Sequence, residues 1–132
     1  MAQKTVLLVE DDADIRDIVQ DVLEADGYDV IPASHGRQAL EFLNDVRGTT
    51  LPALVILDWK MPLVSGGSVL EVMRNDRALS SVPVVVMSAV SQEKPLGASA
   101  FLRKPFSLDS LFDAVRSLAG GQEPPYSPAI IT

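Results

Sequence analysis

The chain has 132 residues, 47% of them hydrophobic, which is enough for the core of one domain. With 18 acidic against 11 basic residues the formal net charge is −7, which argues against a nucleic-acid or anionic-membrane surface. The absence of cysteine removes disulfides and thiolate metal sites. The one histidine, His35, cannot build a zinc cluster alone and reads as a solvated residue near a helix start.

The amino terminus enters a strand within five residues and has no signal-peptide core. No apolar run approaches membrane-spanning length, so a cytoplasmic location is expected. Thr5 to Val9 is a β-branched and leucine-rich strand ending in Glu10-Asp11-Asp12. Ile15, Ile18, Val19, Val22 and Leu23 then fall on one face of a helix, with Asp12 as N-cap and Gly27 at C′. Tyr28 to Ile31 makes a second short strand. Ser34 is placed to cap the next helix, whose Ala39, Leu40, Leu43 and Val46 line one side before Gly48.

Leu54-Val-Ile-Leu57 is too uniformly apolar to alternate and reads as a strand buried on both faces, closed by Asp58. Pro62 and Gly66-Gly67 break the chain before a helix near Ser68 to Asp76. Pro83 opens a fourth strand, Val84 to Met87, ending at Ser88-Ala89. A compressed connection leads to a short fifth strand at Phe101-Leu102, which ends at Arg103-Lys104-Pro105. The last helix carries Leu108, Leu111, Phe112, Val115 and Leu118, with Ser107 as its cap. Residues 1–119 form one domain in this reading, and 120–132, with Pro124, Pro125 and Pro128, a disordered tail.

Five apolar strands alternating with amphipathic helices imply a doubly wound α/β fold: a parallel sheet with helices on both faces. Ligands bind such sheets at the carboxyl ends of the strands. Here those ends supply Glu10-Asp11, Asp58, Ser88 and Lys104-Pro105. Each alone has an ordinary structural explanation, such as a turn cap or a solvated acid. Together they converge on one edge. Three close carboxylates need a cation, and oxygen ligands without His or Cys select Mg²⁺. A hydroxyl and an ammonium facing that cation suit a phosphoryl group.

From about Lys4 to Ala119 the chain resembles the receiver domain of two-component response regulators. The matching stretches are Val6-Leu-Leu-Val-Glu-Asp-Asp12, Leu57-Asp-Trp-Lys-Met-Pro62 with Gly66, Met87-Ser-Ala89 and Phe101-Leu-Arg-Lys-Pro-Phe106. The resemblance implies a strand order of 2-1-3-4-5 and a cis Lys104-Pro105 bond. It makes Asp58 the phosphoacceptor, served by a histidine kinase or phosphotransfer protein. Mg²⁺ would be held by Glu10, Asp11, Asp58 and the Lys60 backbone carbonyl. Ser88 and Lys104 would bind phosphoryl oxygens, and Ser88 and Phe101 would act as switch residues. Such a domain is not an enzyme in the ordinary sense, since it catalyses only its own phosphorylation and slow dephosphorylation. Its output would be altered binding to a downstream protein.

Three departures stand out. Ser65 replaces a frequently acidic residue, Phe101 lacks a tyrosine hydroxyl, and the chain between Ala89 and Phe101 is short. Only ten residues, Ala89 to Ala98, connect the fourth and fifth strands, and Pro95 and Gly97 disfavour helix there. The family's fourth helix is therefore expected to be rudimentary or absent, leaving a monomer that signals through a non-standard surface. A haloacid-dehalogenase-type Mg²⁺ phosphatase would need a carboxylate two residues after its nucleophile, where Lys60 stands. A flavin carrier is disfavoured by Glu10-Asp11-Asp12, which would repel a flavin phosphate. A degenerate receiver acting only as a binding module is the remaining alternative.

Overall fold

The computed structural model describes residues 4–90 and 93–120. In chain order the elements are β1 (Thr5–Val9), α1 (Ala13–Ala25), β2 (Asp29–Ala33), α2 (Gly36–Val46), β3 (Leu54–Asp58), α3 (Gly66–Asn75), β4 (Val84–Ser88), β5 (Ala100–Arg103) and α4 (Leu108–Ala119). All neighbouring strands pair in parallel, in the order β2-β1-β3-β4-β5. The expected tail, beyond Gly120, lies outside the described residues.

Alternation along the buried strands divides the core in two. Leu7, Val9, Val55, Leu57, Val84 and Val86 face α2 and α3, whereas Val6, Leu8, Leu54, Ile56, Val85 and Met87 face α1 and α4. Burial on both sides explains why β3 and β4 carry no polar residue until their last position. Asp12 caps α1 through Asp14 and Ile15, and Gly27 takes the left-handed conformation, with φ 95°, that reverses the chain into β2.

Some local expectations need correction. The cap of α2 is His35, whose Nδ1 accepts from the Gln38 N–H at 3.1 Å; Ser34 instead binds the returning Gln38 side chain. The histidine ring can accept because its neutral form keeps one free nitrogen, and this moves the helix start one residue on. The glycine pair before α3 does not break the chain but forms the first turn of the helix, capped by Ser65. On α1, Val19 and Leu23 are buried, but Ile18 is 58% exposed. It lies at the margin of the apolar stripe, above a pocket rather than against the sheet.

The connection from β4 to β5 behaves as its length dictates. Among the described residues it contains no helix, and Glu93–Ser99 makes only a turn around Gly97. Arg74 of α3 holds it down. Its guanidinium donates to the carbonyls of Gly97 at 2.7 Å, Ser80 at 3.1 Å and Val82 at 3.0 Å. Ala98 is drawn into the core, and Phe101 packs half-buried against the same cluster.

Among the described residues, one buried side-chain polar atom is left without a partner. Tyr28 is 2% exposed, and its hydroxyl is hydrogen-bonded to nothing among the described residues. An unpaired buried polar group costs about 1–3 kcal/mol. Tyr28→Phe should therefore raise stability by about 1 kcal/mol in urea denaturation. A lower midpoint would show that the hydroxyl is paired through water.

Candidate functional site: an acidic cluster at the strand ends

Each expected site residue except Phe101 stands at or just beyond the carboxyl end of a strand or in the loop that follows. Glu10 continues β1 and still pairs with β2 through its backbone, its N–H donating to Ala33 at 3.0 Å. That continuation fixes the side chain in the interior, where it is 0% exposed. Asp11 is exposed one residue further on. Asp58 is the last residue of β3 and is 4% exposed. The chain turns sharply after it: Trp59 N–H bonds Met87 of β4, and Gly66 N–H bonds the Trp59 carbonyl. A Cβ on Gly66 would overlap the Asp58 carbonyl oxygen, so only glycine lets α3 start this close to the site.

Glu10, Asp11 and Asp58 each offer a carboxylate oxygen within 4.8 Å of the others. Lys104 reaches in from the β5–α4 loop, with its Nζ 2.6 Å from Glu10 Oε1 and 3.4 Å from Asp58 Oδ1. The loop is set by the cis Lys104-Pro105 peptide and by the Lys104 N–H bonding the Ser88 carbonyl at 2.8 Å. Ser88 is buried, and its Oγ accepts from the Val90 N–H at 3.1 Å. The Lys60 side chain is exposed in the β3–α3 loop. Phe101 lies within β5, on the α2–α3 side of the sheet and away from the cluster.

The electrostatics follow from crowding. Asp58 is pushed up to about 8, first by burial, then by the carboxyl groups of Asp11 and Glu10, with Lys104 acting the other way. Asp11 moves oppositely, below its usual value, chiefly because Asp58 hydrogen-bonds to it. The two shifts describe one proton, held by Asp58 and shared with Asp11. Burial works against the Lys104 charge, but its hydrogen bond to Glu10 and the charges of Asp58 and Glu10 outweigh that, and the ammonium is held above its usual value. A hard-oxygen donor set with Glu10 and Asp58 buried, Asp11 exposed and an excess of negative charge fits a divalent cation such as Mg²⁺.

Two supporting contacts had no signal in the sequence. Arg16 donates to the Glu10 carbonyl at 2.9 Å, and the Asp12 N–H donates to Glu10 Oε2 at 3.1 Å. Both fix the acid from beyond the strand end, and only the folded path of the chain reveals them.

The fold and site define a receiver-type signalling domain. A family model described as "Response regulator receiver domain" matches residues 6–116, and the chain belongs to that family. Sporulation initiation phosphotransferase F of Bacillus subtilis is 31% identical, aligned over 88% of this chain and 94% of that protein. The phosphate regulon transcriptional regulatory protein PhoB of Pseudomonas aeruginosa is also 31% identical, but the match covers 81% of this chain and 48% of that protein. The chain thus spans about half the length of the transcriptional regulators it matches. Among solved structures, Vibrio cholerae chemotaxis protein CheY4 superposes with a TM-score of 0.79 at 26% identity, covering 89% of this chain and 99% of that one. The Thermotoga maritima response regulator TrrA, solved in complex with Mg²⁺-BeF, gives 0.76 at 29% identity, covering 88% and 99%.

Asp58 binds a proton more tightly in the folded chain than in the unfolded one, where an aspartate titrates near 3.9. Its contribution to stability is therefore fully present below about pH 4 and lost as pH rises through about 8. Asp58→Asn removes that proton dependence along with one charge of the cluster. In chelator-treated protein the variant should melt higher than wild type at pH 8, and the gap should close toward pH 4. Mg²⁺ should raise the wild-type melting temperature more than that of the variant. Parallel melting curves across that pH range would show that the carboxylates do not share a proton.

Proposed function

We propose that this chain is the phosphoacceptor switch of a two-component pathway, with Asp58 as the acceptor. The observation that carries the reading is the placement of a nearly buried Asp58 carboxylate between two further acids and the Lys104 ammonium. Once the Asp58 proton is released to solvent, a carboxylate oxygen of Asp58 attacks phosphorus. The bond from phosphorus to its donor, such as a phosphohistidine nitrogen, breaks with its electron pair leaving on the donor, and an acyl phosphate forms. Glu10, Asp11, Asp58 and the Lys60 carbonyl would hold Mg²⁺, which when bound would supply charge neutralisation for the phosphoryl oxygens. Lys104 stands 3.4 Å from Asp58 and exchanges that contact for a phosphoryl oxygen. The Ser88 hydroxyl donates to another oxygen, and small Ala89 leaves room beside it. Catalysis here is positioning and charge balance, so the chain acts on its own Asp58 and not on a turned-over substrate.

Neither Lys60 nor Val90 carries a group suited to orient an attacking water, which favours a long-lived phospho-form. The phosphatase alternative is disfavoured at the same place, because Lys60 stands where a general acid-base carboxylate would be needed. The reading extends to the partners. A histidine kinase or phosphotransfer protein delivers the phosphoryl group in the cytoplasm, and a downstream protein reads the changed surface of a monomer. The similar Thermotoga protein, solved with Mg²⁺-BeF, supports the choice of metal.

Acetyl phosphate with Mg²⁺ should add one phosphoryl group per chain, measured by intact mass, and Asp58→Ala should abolish it. Labelling that survives in the Ala variant would overturn the assignment of Asp58. A wild-type chain that takes up no label would favour the binding-module alternative.

A further inference from the structure

Glu10 and Asp11 are neighbours in the chain with opposite surroundings. The first is fully buried and the second exposed, yet both present a carboxylate oxygen to the same cluster. Where Asp11 points depends on the two peptide units that flank it, each of which is planar. The unit before it contains the Glu10 carbonyl, which accepts from Arg16 Nη1 at 2.9 Å. The unit after it contains the Asp12 N–H, which donates to Glu10 Oε2 at 3.1 Å. Both backbone torsions of an exposed residue are thus set from outside it.

The partner that Arg16 takes is informative. An arginine on the first turns of a helix is placed to pair with an acid four residues earlier. That acid is Asp12, whose Oδ1 already accepts from the Asp14 and Ile15 N–H groups at 2.9 and 3.1 Å. Asp14 and Asp17 are also close in sequence, yet among the described residues Arg16 makes no ion pair. Its charge is directed to a carbonyl, and a charged donor makes the stronger bond. The Arg16 N–H in turn bonds the Asp12 carbonyl at 2.9 Å, so Glu10, Asp12 and Arg16 form a closed circuit around Asp11.

We infer that Arg16 is a positioning residue for the cation site. By holding the Glu10 carbonyl it keeps the Asp11 carboxylate aimed at Glu10 and Asp58, without placing its own charge among the acids. A group that orients a ligand from behind in this way typically changes metal affinity 10- to 100-fold, roughly, when it is removed. The inference rests on the metal reading of the acidic cluster and not on phosphoryl transfer.

The test measures Mn²⁺, which accepts the same octahedral oxygen shell as Mg²⁺, through loss of its free-ion electron paramagnetic resonance signal, with no phosphodonor present. Arg16→Met keeps an aliphatic stem and removes the donors, and it should weaken Mn²⁺ binding about tenfold. Arg16→Lys, which returns a charged donor, should recover most of that loss. Arg16→Gln, whose amide falls short of the carbonyl, should match the Met variant and replaces it if that variant does not fold. In an Asp11→Asn background, with metal raised to suit the weaker site, the same substitution should cost less than about twofold, since no carboxylate remains to be aimed. A purely structural arginine would lower the melting temperature in chelator and leave the Mn²⁺ affinity of the folded chain unchanged, which would overturn the inference. A tenfold loss that persists beside Asp11→Asn would overturn it as well, because Arg16 would then act elsewhere. Neither result bears on labelling of Asp58 by acetyl phosphate, so the two readings fail separately.

Discussion

Glu10 and Lys104 meet at 2.6 Å in a place that water does not reach from the acid's side, and the rest of the site is arranged around that pair. Neither group is tolerable there alone: a buried carboxylate or ammonium without a partner loses several kcal/mol of hydration. The pair holds together the ends of β1 and β5, which stand at different positions in the sheet with β3 and β4 between them. Asp58 enters the same space from β3 with a second negative charge, which the single lysine does not balance. That surplus makes the site receptive to a cation and keeps one proton on Asp58 in its absence.

The backbone supports this imbalance. Trp59, Gly66 and Lys104 each use a backbone N–H to tie a loop to a strand end or to a neighbouring loop. Arg16 and Asp12 fix Glu10 through its carbonyl and its second carboxylate oxygen. Apart from Lys104 and Arg16, the groups that hold the cluster are thus uncharged backbone N–H groups. Stability elsewhere comes from two apolar layers whose strand residues are buried on both faces. The site can be electrostatically strained because the sheet under it is not.

Much of this was legible in the residues. Uniform apolar runs at Leu54–Leu57 and Val84–Met87 identify buried parallel strands, since an exposed face would require polar alternation. Once five strands are placed, the polar residues that end them fall together without further information, and Glu10, Asp11, Asp58, Ser88 and Lys104 all do so. The short connection before Phe101, with Pro95 and Gly97 in it, foretold the lack of a helix there among the described residues. What stayed hidden depends on close approach and not on pattern. His35 took the cap expected of Ser34 because Gln38 could fold back over it. Gly66-Gly67 looked like a break, yet Gly66 opens a helix because the Asp58 carbonyl leaves no room for a side chain. Ile18 carries the right period for burial but sits past the edge of what the sheet can cover.

Arg74 has a mechanical consequence. Its guanidinium grips the carbonyls of Ser80 and Val82, just before β4, and of Gly97, just before β5. Ser99 and Val84 add a bond in each direction at the same level. Both strands are therefore clamped at the foot, while their tips carry Ser88 and Lys104 into the acidic cluster. A strand fixed at one end and loaded at the other behaves as a cantilever. A displacement started at Ser88 would have to strain this clamp before it reached α3. Among the described residues the β4–β5 connection is thus tied to α3 at Gly97, with no helix of its own between the strands.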